Sequence, residues 1–179
     1  MVNIYFVRHG ESEANLNDTF AGQRDDSLLT AKGNMQAQET GKKLKLMNIN
    51  FDKIISSPLQ RAKQTAEEIV KILDYEKELE INSGIIEYDM GDLSGAKIRY
   101  VSSEELANTK NSEQVIDFEK RLNEFFINLQ QGTEENILVV GHGIVSKMLK
   151  NIKNGNDPNK FWNENGIGNG EIIKIDWIK

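Results

Sequence analysis

The chain holds only two histidines, and each follows an apolar run and sits against glycine. His9 closes the stretch I-Y-F-V-R-H-G at 4–10, and His142 stands between Gly141 and Gly143 after I-L-V-V. Imidazole offers a lone pair near neutral pH, which suits a nucleophile, a general base or a metal ligand. One such residue could be an ordinary loop histidine; two in equivalent positions point to one shared site. Arg8 adjoins His9, and Arg61 falls in the first turn of a helix that opens S-S-P-L-Q-R. Taken alone, Arg61 could be an exposed residue paired with Glu68. Guanidinium forks, however, match phosphate or carboxylate oxygens, and the free N–H groups of a helix start also attract anions. Only 5 of the 22 basic residues are arginines, and the net charge is −6. Two arginines beside both histidines therefore make a local basic pocket in an acidic protein, and a small anion is the expected ligand.

Competing chemistries fit less well. His9-Gly10-Glu11 has the H-x-E form of zinc deaminases, but a chain without cysteine cannot supply the matching P-C-x-x-C. Two histidines and a carboxylate can hold non-haem iron, yet arginine beside them would repel the cation. No metal and no cofactor is expected. The phosphate-loop, G-x-S-x-G and EF-hand signatures are all missing. A pI near 5.1 argues against nucleic acid or anionic membrane as partner. No apolar run approaches the ~18–20 residues that span a bilayer. Met1 leads directly into V-N-I-Y-F-V, so no signal peptide is expected. With zero cysteines, a reducing, cytoplasmic location is the expectation. The oligomeric state is not legible.

The elements that must position these residues follow from periodicity. Val2–Val7, Lys53–Ser56 and Asn136–Gly141 read as short buried strands, and Glu171–Trp177 as a last one. Thr30 is placed to cap a helix to about Met47 with Met35, Thr40, Leu44 and Met47 inward; Gly33 and Gly41 cost that helix about 1 kcal/mol each. Ser57-Pro58 reads as cap and first helical position, followed by Leu59, Ala62, Ala66, Ile69, Val70 and Leu73 at helical spacing. Another helix spans 112–131, with Val115, Phe118, Leu122, Phe125, Phe126 and Leu129 on one face and Gly132 as its stop. A helix is expected after the third strand, and Gly166–Gly170 reads as a turn. Strands alternating with long helices imply one domain over 1–179, an α/β fold built as a three-layer α/β/α sandwich around a largely parallel sheet. Ligands bind such sheets at the strands' carboxyl ends, where both histidines lie.

These residues also carry a family resemblance. V-R-H-G-E-S-E-A-N at 7–15, F-A-G-Q-R-D-D-S-L-L-T at 20–30 and S-S-P-L-Q-R-A-K-Q-T-A at 56–66 are followed by E-Y-D-M-G-D-L-S-G at 87–95 and V-V-G-H-G at 139–143. In this order and spread they resemble the histidine phosphatase superfamily of phosphoglycerate mutases, fructose-2,6-bisphosphatases and alpha-ribazole phosphatases. The resemblance implies a phosphoglycerate mutase-like fold with His9 as the nucleophile that becomes phosphohistidine. It implies a phosphate pocket of Arg8, Arg61 and His142, with Asn15, Gly22 and Gln23 as further phosphate-binding residues. Glu87 is implied as proton donor, with a pKa raised by burial beside Tyr88, whereas neighbouring Glu11 reads as structural. Two arginines and a protonated His142 would then do the work that metal ions do in kinases.

Within that family the features favour a phosphatase acting on a small phosphorylated metabolite. Mutases usually follow the acid with arginine and carry a long basic insertion. Here Tyr88 follows Glu87, and the short segment 96–112 holds Lys97, Arg99 and Lys110 but no arginine pair. That segment is expected to cover the pocket. Arg24 either approaches the pocket or pairs with Asp25 or Asp26. A bisphosphoglycerate-dependent mutase and an inactive phospho-ligand binding module are the alternatives.

Overall fold

A computed structural model describes residues 2–175. The chain runs β1 (Asn3–Arg8), α1 (Glu13–Leu16), α2 (Ala31–Leu46), β2 (Lys53–Ser56), α3 (Gln60–Leu73), β3 (Glu80–Ile81), α4 (Ser103–Ala107), α5 (Val115–Gln130), β4 (Asn136–Gly141), α6 (Gly143–Lys153) and β5 (Ile172–Ile175). The strands lie in the order β3-β2-β4-β1-β5. All pair in parallel except β5, which runs antiparallel to β1.

Side chains of a strand alternate between faces, and both faces of this sheet are covered. Ile4 and Phe6 pack with Phe118, Leu122 and Phe126 of α5 and Met148 of α6. Tyr5 and Val7 point the other way, onto Leu44 of α2 and Ala62, Ala66 and Ile69 of α3. Burial on both sides explains why the inner strands are unbroken apolar runs. The result is the expected α/β/α sandwich. Among the described residues no helix is long and apolar enough to cross a membrane.

Several expectations need correction. Thr30 does cap α2, accepting from the Gly33 N–H, but Met35 and Met47 are 58% and 46% exposed. The expected Thr40 and Leu44 do face inward, and the rest of the buried stripe is small, Gly33, Ala37 and Gly41, because neighbours come too close there for methionine. A Cβ on Gly33 would lie 2.0 Å from the Glu11 carbonyl oxygen, and one on Gly41 3.0 Å from Ile72. The two glycines thus permit close packing that offsets their helical cost. Helix α3 begins at Gln60, with Leu59 as an extended cap residue and no side-chain cap. Ser57 Oγ accepts only a long bond from the Leu59 N–H (3.4 Å), and the Gln60 N–H is met by the Asp26 carboxylate at 2.6 Å. Helix α5 starts at Val115, three residues later than expected. The last expected strand begins at Ile172, and its end at Asp176 and Trp177 lies outside the described residues.

Candidate active site

Register brings the histidines together. Arg8, the last residue of β1, pairs with Gly141, the last of β4, and the His9 N–H donates to the Gly141 carbonyl (3.0 Å). Ser56 of β2 pairs with Val140, and the Ser57 N–H donates to the Val140 carbonyl (3.0 Å). Three parallel strands therefore stop at one level and deliver Arg8-His9, His142 and Ser57 side by side. The two imidazoles sit edge to face, with centroids 5.2 Å apart.

His9 is 3% exposed. Its Nδ1 lies 2.7 Å from the Gly10 carbonyl; that acceptor places the proton on Nδ1 and the lone pair on Nε2. Burial, then Arg61 and Arg8, hold its pKa well below the usual histidine range, so the ring is neutral. The following loop is clamped to its neighbours. The Gly10 N–H donates to Thr65 Oγ1 (3.0 Å), whose hydroxyl donates to the Arg61 carbonyl (2.7 Å). A Cβ on Gly10 would meet the Gly33 carbonyl oxygen at 2.3 Å; the close approach at this glycine is therefore to the backbone of α2.

His142 is fully buried. Its Nε2 is 2.6 Å from Ser57 Oγ. Nδ1 is buried and has no hydrogen-bond partner among the described residues. Burial, then Arg61, His9 and Arg8, push this pKa well below the ordinary value. The expected protonated His142 is therefore corrected: among these neighbours it is neutral, because burial and then the nearby cations disfavour its charged form. An arriving phosphoryl dianion would favour the protonated form.

The arginines are held by carbonyls. Arg61, 2% exposed, donates to the carbonyls of Asp25 (2.8 Å) and Gly22 (2.7 Å). Arg8 donates through Nη1 to the Ile167 carbonyl (2.8 Å), and its buried Nε has no partner among the described residues. Fork and charge are thus aimed without a carboxylate in direct contact. Gly22 reaches this site through its carbonyl, at a φ of 54° that favours glycine. The Gln23 amide donates to the Glu87 carbonyl (2.8 Å), which places its side chain behind the acid.

Glu87 is 6% exposed. Its carboxylate accepts from the N–H groups of Tyr88 (3.0 Å), Ile144 and Val145 (both 3.1 Å), the latter two at the start of α6. Burial pushes its pKa up, against the opposing pull of Arg61, the Ile144 and Tyr88 N–H groups, and Arg8. Arg121 anchors this segment from behind, donating to the carbonyls of Glu87 and Gly84 (both 3.1 Å) while paired with Glu113 (2.6 Å).

Of the other sequence-selected residues, Asn15 lies at the site and Glu11 and Arg24 take partners away from it. Asn15 Oδ1 accepts from the Ser12 N–H (3.2 Å) and from Asn169 (3.1 Å). Glu11 holds Thr30 (2.9 Å) and Lys32 (2.8 Å), a structural role. Arg24 pairs with neither Asp25 nor Asp26; it grips Asp89 with both arms (2.9 and 3.1 Å) and the Asn111 carbonyl. Reasoning from sequence missed Ser57, Thr65, Arg121 and Asn169. The turn at 166–170 is a turn, but it also belongs to the site: besides the Ile167 carbonyl on Arg8, Asn169 donates to the His9 carbonyl (3.0 Å).

Beside the histidines opens a cavity of about 520 Å3. Arg8, Asn15 and Glu87 line it, and so do the apolar Phe20, Ile98, Leu106, Ile144 and Trp162. Ile98 and Leu106 come from the segment expected to cover the pocket. The basic residues Lys97 and Arg99 turn to the Asn17 carbonyl (2.6 Å) and Asp18 (3.5 Å).

This arrangement has relatives. A probable phosphatase of Schizosaccharomyces pombe is 34% identical over 80% of this chain and 53% of its own length. A 2,3-bisphosphoglycerate-dependent phosphoglycerate mutase of Bartonella bacilliformis is 42% identical over 51% of this chain and 45% of its own. The chain thus spans about half the length of these curated relatives. Among solved structures, the alpha-ribazole phosphatase of Shigella flexneri superposes with a TM-score of 0.82 at 26% identity, over 98% of this chain and 90% of that one. The family model for branch 1 of the histidine phosphatase superfamily matches residues 4–179. This chain belongs to the histidine phosphatase superfamily.

Proposed function

We propose that the protein is a metal-independent phosphomonoesterase that works through a phosphohistidine on His9. One observation carries this reading: the 2.7 Å contact from Nδ1 to the Gly10 carbonyl leaves a neutral imidazole with its Nε2 lone pair free, beside two arginines and a buried acid. In the first step Nε2 forms a bond to phosphorus while the bond from phosphorus to the leaving oxygen breaks. The Glu87 carboxyl proton passes to that oxygen. In the second step Glu87, now a carboxylate, takes a proton from water. The resulting hydroxide displaces Nε2, releasing phosphate and restoring both residues. Arg8 and Arg61 neutralise the phosphoryl oxygens and His142 adds a further contact to them, and loss of one such donor costs on the order of 10²–10³ in turnover.

The outward turn of Lys97 and Arg99 favours a phosphatase over a mutase, since it leaves the cavity wall from that segment apolar. The test is p-nitrophenyl phosphate hydrolysis with and without EDTA, together with alkaline-quench trapping of the phosphoenzyme, because phosphohistidine survives base and hydrolyses in acid. Turnover that survives EDTA and vanishes in His9→Ala, with the trapped phosphate lost as well, is the expected result. Full activity in His9→Ala refutes the nucleophile. Conversion of 3-phosphoglycerate after priming with 2,3-bisphosphoglycerate, with little free phosphate, would instead make the protein a mutase.

A further inference from the structure

We propose that Lys147 is a specificity-determining residue that selects phosphomonoesters whose leaving group carries a carboxylate on an apolar or aromatic body. This rests on the phosphatase reading above. Three charged side chains line the 520 Å3 cavity: Arg8, Glu87 and Lys147. The first two serve the phosphoryl group and the proton, so Lys147 is the cation left over. It sits four residues after Gly143 on α6, and both line the cavity. Residues i and i+4 share a helix face, about 6 Å apart along the axis. Arg8 lies against the first of these positions, since a Cβ on Gly143 would be 3.1 Å from its Cζ. The same helix face thus carries one cation at the phosphoryl end and a second about one turn farther out.

The second cation is incompletely partnered. Lys147 is half-buried, and its ammonium donates to the Trp162 carbonyl at 3.1 Å. Among the described residues no carboxylate lies within salt-bridge distance of it. Glu164 acts on it only from farther away and is bonded to Asn154 and Asn156. An ammonium has three donors, so two remain beside a wall made of Ile98, Leu106, Ile144 and Trp162. A cation facing apolar surroundings favours an anionic partner. The surrounding wall favours a flat or branched hydrocarbon between that anion and the phosphate.

The discriminating pair is phenyl phosphate and 4-carboxyphenyl phosphate, which share a ring and differ by one carboxylate. The wild-type protein is expected to prefer the carboxylate ester by about tenfold in kcat/KM, in the range of a charge-assisted contact. Lys147→Met should bring the two esters to within about twofold, and Lys147→Arg should retain the preference. Comparing the ratio between variants cancels the intrinsic difference in leaving group. If the lysine merely lays its stem along the wall, Lys147→Met changes both esters alike. That result overturns the proposal, as does a wild-type protein with no preference. Hydrolysis of neither ester overturns the phosphatase reading itself, and this proposal with it.

Discussion

Acidification gives the sharpest test of the buried histidine pair. Both folded pKa values lie well below the ordinary 6.5, chiefly through burial, with the arginines adding to it. Below pH 6.5 the unfolded chain binds two protons that the native one refuses, so stability is lost as pH falls through that window. Each histidine contributes about 1.4 kcal/mol per pH unit there. Glu87 acts in the opposite sense. Its folded pKa is raised above 4.5, so the native carboxyl takes up its proton first and acidification through that pKa regains part of the loss. Two histidines outweigh one carboxyl, so stability falls on net between pH 6.5 and 5, by at most about 2.7 kcal/mol per unit. Urea unfolding at several pH values measures it. A His9→Asn/His142→Asn double variant should abolish the loss, since Glu87 acts in the opposite sense. In the same window kcat/KM for p-nitrophenyl phosphate, corrected for substrate ionisation, should show no acid limb at 6.5, because the nucleophile stays unprotonated. Stability that is flat or rises from pH 6.5 to 5, or an acid limb at 6.5, would refute the neutral, buried pair.

Three substitutions probe the parts separately. Glu87→Gln should lower kcat for alkyl phosphates by about 10²–10⁴ and for p-nitrophenyl phosphate by less, because nitrophenolate leaves without a proton; equal losses would remove Glu87 from the acid role. Gly10→Ala places a Cβ 2.3 Å from a backbone oxygen that no rotamer can relieve, so urea unfolding should show a loss above about 3 kcal/mol. Ser57→Ala removes the 2.6 Å partner of a buried imidazole nitrogen. It should cost about 1–3 kcal/mol in stability and lower kcat more than it raises KM, whereas unchanged kcat would make Ser57 a packing residue.

How far the site was legible in the sequence depends on distance along the chain. Arg8 and His9 stood out because an apolar run stops abruptly at charge, and His142 because it repeats that setting. Their contact follows from β1 and β4 being parallel neighbours in register. Asn169 had no such signal: G-I-G-N-G reads as a turn, and its bonds to His9 and Asn15 join residues 160 and 154 positions away. Arg121 was likewise hidden in a helix whose apolar face explains the helix fully.

The misread local rules are more informative, because each failed where a group had been taken by something stronger. Methionine at 35 and 47 is apolar enough to face inward, yet the distance between α2 and its neighbours is set by backbone contact at Gly33 and side-chain contact at Gly41. Ser57-Pro58 has the side chains of a helix start, but the helix waits until Gln60 and borrows the Asp26 carboxylate for its first N–H. Ser57 Oγ holds the Leu59 N–H only loosely, at 3.4 Å, while it lies 2.6 Å from His142 Nε2. The imidazole is the closer partner, so the hydroxyl is shared between a weak cap and the histidine. In Ser57→Ala no hydroxyl remains for either partner, while in His142→Ala it can turn wholly to the cap. If capping and imidazole compete for Ser57, amide exchange at Leu59 should slow in His142→Ala; unchanged exchange there would break the link.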